Sequence, residues 1–65
     1  MEAKFVIFKD PVGQYRFHLE APNGEIIAVS EAFTTRPACL LGIEAIRSYA
    51  PTTKVVDRTN SPSAR

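Results

Sequence analysis

An alternating run of polar and apolar residues at positions 14–21 is the feature that most constrains how this chain folds. Tyr15, Phe17 and Leu19 are apolar and the residues between them are polar, a period of two that fits a β-strand and no helix. Such a strand buries one face. The sequence Pro-Asn-Gly follows at 22–24, and Asn-Gly readily takes the positive φ angles of a two-residue hairpin loop. We therefore predict the middle strand of an antiparallel meander.

The segments on both sides of this strand are also predicted to be strands. Residues 3–9 are rich in Phe, Val and Ile, and Asp-Pro-Val-Gly at 10–13 suits a type I turn. Residues 25–30 contain Ile-Ile-Ala-Val without alternation. A strand that is apolar on both sides is expected to be central or covered, not an open edge.

One helix is predicted from Arg36 to about Tyr49. Thr34 or Thr35 is the expected N-cap, and Pro51 ends the helix because the residue before a proline disfavours helical dihedral angles. Apolar and small residues recur at spacings of three and four and form one stripe: Cys39, Gly42, Ile43, Ile46 and Ala50.

The chain beyond the helix divides into two short parts. Residues 54–57, Lys-Val-Val-Asp, are predicted to form a fourth strand, and residues 58–65 lack an apolar anchor and are predicted to be a disordered tail. The fold class is therefore α+β, a β-β-β-α-β unit with one helix on one face of an antiparallel sheet. Residues 1–57 would form the single domain.

The small size of the chain predicts self-association. A domain of 65 residues buries only about 60% of the surface that its unfolded chain exposes, and such domains usually need a disulfide, a metal or a partner. Cys39 is the single cysteine and His18 the single histidine, too few for a disulfide or for the roughly four ligands of a structural zinc. We expect no cofactor, and self-association.

Composition narrows the classes of partner and the location. The net charge of +1 gives no global field that would favour nucleic acid or membrane. No apolar run approaches a membrane span of about 20 residues, and the N-terminus has no signal-peptide pattern. A single cysteine also suits a reducing compartment. The expected location is the cytoplasm.

Four short motifs occur in order along the chain. They are Phe5-x-x-Phe8-Lys9-Asp10, Gly13-x-Tyr15-Arg16-Phe17-x-Leu19-x-Ala21-x-Asn23-Gly24-Glu25, Ser30-Glu31-x-Phe33-Thr34, and Gly42-Ile43 with Ile46-Arg47. Together they resemble the YegP-like family of small uncharacterised bacterial proteins, over about residues 4–57. The resemblance implies a β-β-β-α-β unit in one or two copies. For a single copy it implies a homodimer with one sheet and exchanged C-terminal strands. It implies no activity, because the family has none established.

The polar face of the second strand is the first candidate site. Arg16, His18 and Glu20 lie there, and such a trio can act as a general-base site or an anion clamp. The favoured interpretation is a solvated strand face, because cross-strand charge pairs are common and contribute only ~0.2–1 kcal/mol each. With Phe8 on the same face, single-stranded nucleic-acid binding is an alternative, although Phe8 is the one aromatic residue there.

The helix carries the other candidates. Cys39 lies on the apolar stripe, so a small buried hydrophobic residue is favoured over a nucleophile. Gly42 is explained by a close approach of the helix to the sheet. Leu40 and Leu41 stand where the resembled family often has small or polar residues, and they are either ordinary leucines at the edge of the core or a contact patch for a second protein.

These features together favour a non-enzymatic binding or interaction module that works as a homodimer, with an unknown ligand. The sequence pattern does not bring together a nucleophile, a general base or a set of metal ligands. The alternative function is single-stranded nucleic-acid binding through the exposed sheet face.

Overall fold

A three-stranded antiparallel sheet and one helix make up the fold in the computed structural model, which describes residues 2–59. The strands are β1 (Lys4–Lys9), β2 (Tyr15–Glu20) and β3 (Ile26–Val29), in the order β1-β2-β3. Helix α1 (Arg36–Tyr49) follows, and a 3-10 turn, Ala50–Thr52, ends it. The predicted meander and the predicted helix are confirmed.

Asp10 organises the turn between β1 and β2. Its Oδ1 accepts hydrogen bonds from the backbone N–H groups of Val12 at 3.1 Å and Gln14 at 2.9 Å. The N–H of Gly13 donates to the Asp10 carbonyl, and Gly13 has a φ of 85°, a conformation that glycine adopts without steric cost. The turn chemistry predicted from Asp, Pro and Gly is therefore present.

The loop between β2 and β3 differs from the predicted two-residue turn. The N–H of Ala21 donates to the Glu25 carbonyl at 2.7 Å, so the loop contains three residues, 22–24. Gly24 has a φ of 90°, whereas Asn23 does not have a positive φ. Instead, Asn23 Oδ1 accepts the Glu25 N–H at 3.0 Å. The side chain of Asn23 thus supplies a local turn bond in place of the positive φ expected of it.

Strand β2 is paired along both of its edges. Beyond β3, the Ser30 hydroxyl accepts the Phe17 N–H at 2.9 Å while the Ser30 N–H donates to the Phe17 carbonyl at 2.8 Å. Phe33 then forms an isolated bridge with Tyr15. The register of β3 on β2 shifts between Leu19 and Glu20. The pairing passes over Ile27 of β3, so two residues of β3 oppose one residue of β2, as in a β-bulge.

The core lies between β2 and the first half of α1. Phe17, Cys39 and Ile43 are buried, and four partly buried residues pack around them: Phe5, Ile7, Tyr15 and Phe33. The Phe17 ring packs edge-on against the Phe5 ring, with 5.7 Å between the ring centroids, and stacks on the Phe33 ring, with 6.2 Å between the centroids. A Cβ atom on Gly42 would come within 2.9 Å of the Phe33 ring. The close approach predicted at Gly42 is therefore confirmed.

Helix α1 has a defined start and a defined end. Thr35 is the N-cap, and its hydroxyl accepts the Ala38 N–H at 3.2 Å. Pro37 occupies the first turn, where its missing N–H leaves no helical bond unmade. At the other end the Thr53 hydroxyl donates to the Ala50 carbonyl at 2.8 Å, and Thr53 is extended. Of the two predicted caps, Thr35 is therefore the one used.

Three further predictions from the sequence are not met in the structure of the single chain. Strand β3 lies at an edge and all its residues are exposed, so residues 2–59 of the same chain do not supply the cover predicted for it. Residues 54–57 form no strand with the rest of residues 2–59, and Val55 is 95% exposed. Ile46 is 41% exposed although its stripe predicted burial. Most of the predicted tail, residues 60–65, lies outside the described residues.

Candidate binding face

The predicted ligand-face residues share one face of the sheet, the face turned away from Phe17 and the helix. The register of β1 on β2 pairs Phe8 with Arg16, Val6 with His18 and Lys4 with Glu20, and directly paired residues point to the same side. Val29 of β3 pairs with His18. We call this surface the open face, and it consists of Lys4, Val6, Phe8, Arg16, His18, Glu20 and Val29.

Arg16 is held by two partners on its own chain. Its Nε donates to Asp10 Oδ2 at 3.0 Å, and its Nη1 donates to the Ser30 carbonyl at 3.2 Å. The guanidinium therefore ties the β1–β2 turn to the end of β3. Sequence reasoning missed Asp10 as this partner. The available signal was the Asp-Pro-x-Gly turn, which places an acidic side chain at the strand end next to Arg16.

Replacing Asp10 with asparagine is expected to lower stability in a pH-dependent way. The Arg16 side-chain bond and then the Gln14 N–H bond hold the Asp10 pKa below its usual value of 3.8. A lowered folded-state pKa contributes stability above the unfolded-state pKa, and the contribution is lost as the pH falls through the lowered value. Urea unfolding measures the free energy of unfolding of both proteins. Above about pH 5 the value for Asp10→Asn should lie below that of wild type by the full difference, and this difference should shrink as the pH falls below 3.8.

Glu44→Gln is the control for this measurement. Within residues 2–59, Glu44 pairs only with Arg47, at 3.3 Å, and both side chains are about two-thirds exposed. Exposed pairs contribute little, so this variant should unfold like wild type. A difference between wild type and Asp10→Asn that stays constant down to the acid limit would contradict the assigned role of Asp10.

His18 and Glu20 form a hydrogen-bonded pair in the middle of the open face. His18 Nε2 lies 2.9 Å from Glu20 Oε2, and both side chains are mostly covered. The Phe8 ring packs beside the His18 imidazole, with 5.6 Å between the ring centroids. Lys4 Nζ lies 4.0 Å from the other carboxylate oxygen, Glu20 Oε1. The arrangement combines an aromatic ring, a hydrogen-bonding pair and a cation on one face of the sheet.

A shallow cleft of about 470 Å³ adjoins one end of this face. Glu20 and Lys4 line it together with Glu2 and the loop residues from Ala21 to Gly24, but His18 does not. His18 and Glu20 therefore do not line this cleft together, whereas a general-base site would present both to one substrate. Among residues 2–59, no three His, Cys, Asp or Glu side chains form a group able to hold a metal ion.

Cys39 is a core residue, as its place on the apolar stripe predicts. Its side chain is fully buried and its thiol is free. Burial raises the pKa of the Cys39 thiol, and nearby Arg36 offsets part of that increase. A thiol with a raised pKa is a poor nucleophile because the thiolate is the reactive form.

The two helix leucines predicted as a partner patch point in different directions. Neighbouring residues on a helix are about 100° apart. Leu40 lies on the Arg47 flank and is 38% exposed, while Leu41 is 71% exposed and lies on the other flank with Ala45. The two leucines therefore lie about 100° apart around the helix, and the partner patch stays a prediction.

A different apolar surface lies on the second half of α1, where every residue from 44 to 49 is exposed. It is a groove of about 270 Å³, which we call the helix groove, lined by Ala45, Ile46, Tyr49, Ala50 and Thr53. Sequence reasoning placed Ile46 and Ala50 in the core of the same chain. An apolar stripe indicates burial but not which chain supplies the cover, so no signal in the sequence marked this groove.

None of the helices in the described residues has the length and apolar character that crossing a bilayer demands. This finding agrees with the short apolar runs of the sequence.

Known proteins resemble this chain in both sequence and fold. A UPF0339 protein from Treponema denticola is 49% identical over 57 residues, covering 88% of this chain and 98% of the relative. A solution structure of a Haloferax volcanii protein matches with a TM-score of 0.79 and 32% identity, covering 86% of this chain and 95% of the other. The Agrobacterium tumefaciens protein ATU0232 matches with a TM-score of 0.74 and 35% identity, covering 88% and 92%.

The family assignment follows from these likenesses and from a family model. The sequence resemblance is to a family of small bacterial proteins, but the Haloferax protein comes from an archaeon. The description of the family as bacterial is therefore too narrow. The model described as a domain of unknown function, DUF1508, matches residues 10–57, which include β2, β3 and α1 but not β1. The chain belongs to this family of uncharacterised proteins, as the resemblance to YegP-like proteins indicates.

Proposed function

We propose that the chain is a non-enzymatic binding module that works as a homodimer, in which residues 54–57 of each copy pair with β3 of the other. The observation that carries this proposal is the state of β3. It is an edge strand whose four residues, Ile-Ile-Ala-Val, are all exposed. An uncovered apolar edge is a template for pairing with another chain, and folded proteins normally cover it.

Residues 54–57 match β3 in length and carry two central valines, Val55 and Val56, between charged ends. They follow the extended Thr53, and Val55 and Val56 are both exposed. Asp57 Oδ1 accepts bonds from the Thr59 hydroxyl at 2.6 Å and the Thr59 N–H at 3.0 Å, and these bonds lower the Asp57 pKa. This local turn gives the segment a defined end. A symmetric exchange of the segments would cover both exposed edges at once.

Sedimentation equilibrium at micromolar concentration tests the dimer directly. The expected mass is twice the 7.2 kDa of one chain.

A second readout is the Val29 amide. The Ser30 N–H points at Phe17 of β2, and because successive N–H groups of a strand alternate in direction, the Val29 N–H points to the free edge. Hydrogen exchange should show this amide protected; a 7.2 kDa species with a fast-exchanging Val29 would refute the proposal.

We place the binding surface on the open face of the assembled sheet. Phe8, His18 and Glu20 would appear there twice, once from each copy. Arg16 would shape the face through its bonds to Asp10 and Ser30. We assign no catalytic role, because the buried Cys39 thiol is a poor nucleophile and His18 does not line the cleft beside Glu20. The cytoplasm is the proposed location, in keeping with the free thiol.

Single-stranded nucleic-acid binding has less support. Arg16 is already bonded twice within the chain, Glu20 adds negative charge to the same face, and the net charge is +1. Binding of a mixed-sequence single strand that weakened steeply with salt would favour this alternative. Because Arg16→Ala also removes an internal tie, that test needs the folded state of the variant to be checked by circular dichroism.

A further inference from the structure

The helix groove is apolar, uncharged and open in the single chain. Tyr49 is 67% exposed and Ile46 41% exposed, although both belong to a helix whose first half covers the core. The five lining residues include no acid and no base. An apolar side of a short helix that its own sheet leaves uncovered needs another surface to bury it.

The position of Thr53 relates this groove to the partner chain. Thr53 lines the groove and directly precedes the segment 54–57, which pairs with the partner in the proposed homodimer. One residue spans at most about 3.6 Å, so the chain crosses to the partner right beside the groove. In a symmetric exchange the two crossing chains pass each other near the two-fold axis. The groove therefore lies next to that axis.

We propose that the helix groove packs against the same groove of a second copy of this chain, an inference that rests on the proposed homodimer. A surface beside a two-fold axis meets its own equivalent, which must then be self-complementary. The groove meets this condition because it has no charge to repel its copy, and because Ala45 and Ala50 let two helices approach closely. Tyr49 and Ile46 supply the apolar area that the contact buries.

Paired charge substitutions at Tyr49 test the contact. Tyr49→Glu and Tyr49→Lys each place like charges opposite each other at the axis, which is strongly unfavourable. Each variant alone should raise the dimer dissociation constant at least about tenfold in sedimentation equilibrium. An equal mixture of the two should recover dimer as a mixed pair, because Glu then faces Lys. Glu44→Lys, at a side chain about two-thirds exposed on the opposite side of the helix, should dimerise like wild type.

Several outcomes would overturn the inference. The first is that both Tyr49 variants dimerise like wild type. The second is that both are weakened but the mixture recovers nothing, which would mean that the groove meets a different surface. A folding defect is not expected because Tyr49 is mostly exposed, and the pair Ala45→Glu with Ala45→Lys repeats the test one helical turn away. A monomeric wild-type chain would instead refute the homodimer itself.

Discussion

Ending the chain at Thr53 is expected to give a monomer that is barely folded. The truncation removes Val55 and Val56, which would cover the partner's β3, and leaves Ile27 and the rest of β3 exposed. Burying a single valine or isoleucine side chain contributes about 1.5–3 kcal/mol, while a domain of this size has a total stability of about 3–10 kcal/mol. Sedimentation equilibrium should report one chain mass, and urea unfolding should show most of the stability lost.

A second truncation separates the segment 54–57 from the residues after it. Ending the chain at Thr59 keeps the segment and the Asp57–Thr59 turn. This variant should dimerise and unfold like the full chain, and the Val29 amide should stay protected from exchange. Equal behaviour of the two truncated chains would contradict the role proposed for residues 54–57.

Replacing Phe17 with alanine is expected to unfold most of the protein. Phe17 is buried, touches the rings of Phe5 and Phe33, and lies under Cys39 and Ile43. A buried phenylalanine replaced by alanine typically costs about 3–5 kcal/mol, which is comparable to the whole stability of such a domain. Circular dichroism during urea unfolding would measure the loss.

Phe8→Ala is the matched control. Phe8 is the same residue type on the neighbouring strand, but it lies on the open face and is only partly buried. Its loss should cost clearly less than the loss of Phe17. Similar costs for both variants would mean that the open face is covered in solution as fully as the helix-covered face, and this would point to a partner layer on it.

The parts of the fold that depend on local pattern were predictable. The period of two in β2 places Phe17 inside and His18 outside without any knowledge of neighbouring strands. Thr35 and Pro51 mark the helix ends by their backbone chemistry. The position of Ile26–Val29 was not predictable in the same way. An apolar run indicates that burial is favourable, but a partner chain can supply the cover as well as the same chain.

The candidate face was predictable as a set of positions but not as a set of contacts. Alternation places Phe8, Arg16 and His18 on one side of the sheet. It does not reveal that the Arg16 guanidinium reaches Asp10 and the Ser30 carbonyl, because those contacts depend on how the turn folds and where the chain leaves β3. The helix groove was missed for a related reason, since exposure of Ile46 depends on how far the sheet extends beneath the helix.

The β-bulge between Leu19 and Glu20 has a consequence for how many chains assemble. A flat, regular edge strand can recruit strand after strand and grow into a fibre. Here β3 has four residues, and its pairing register shifts at Ile27. Such an edge offers only a short stretch of straight backbone to an incoming strand. The geometry favours a closed pair of chains over open-ended growth, so the protein is expected to remain dispersed at concentrations where a straight apolar edge would form aggregates.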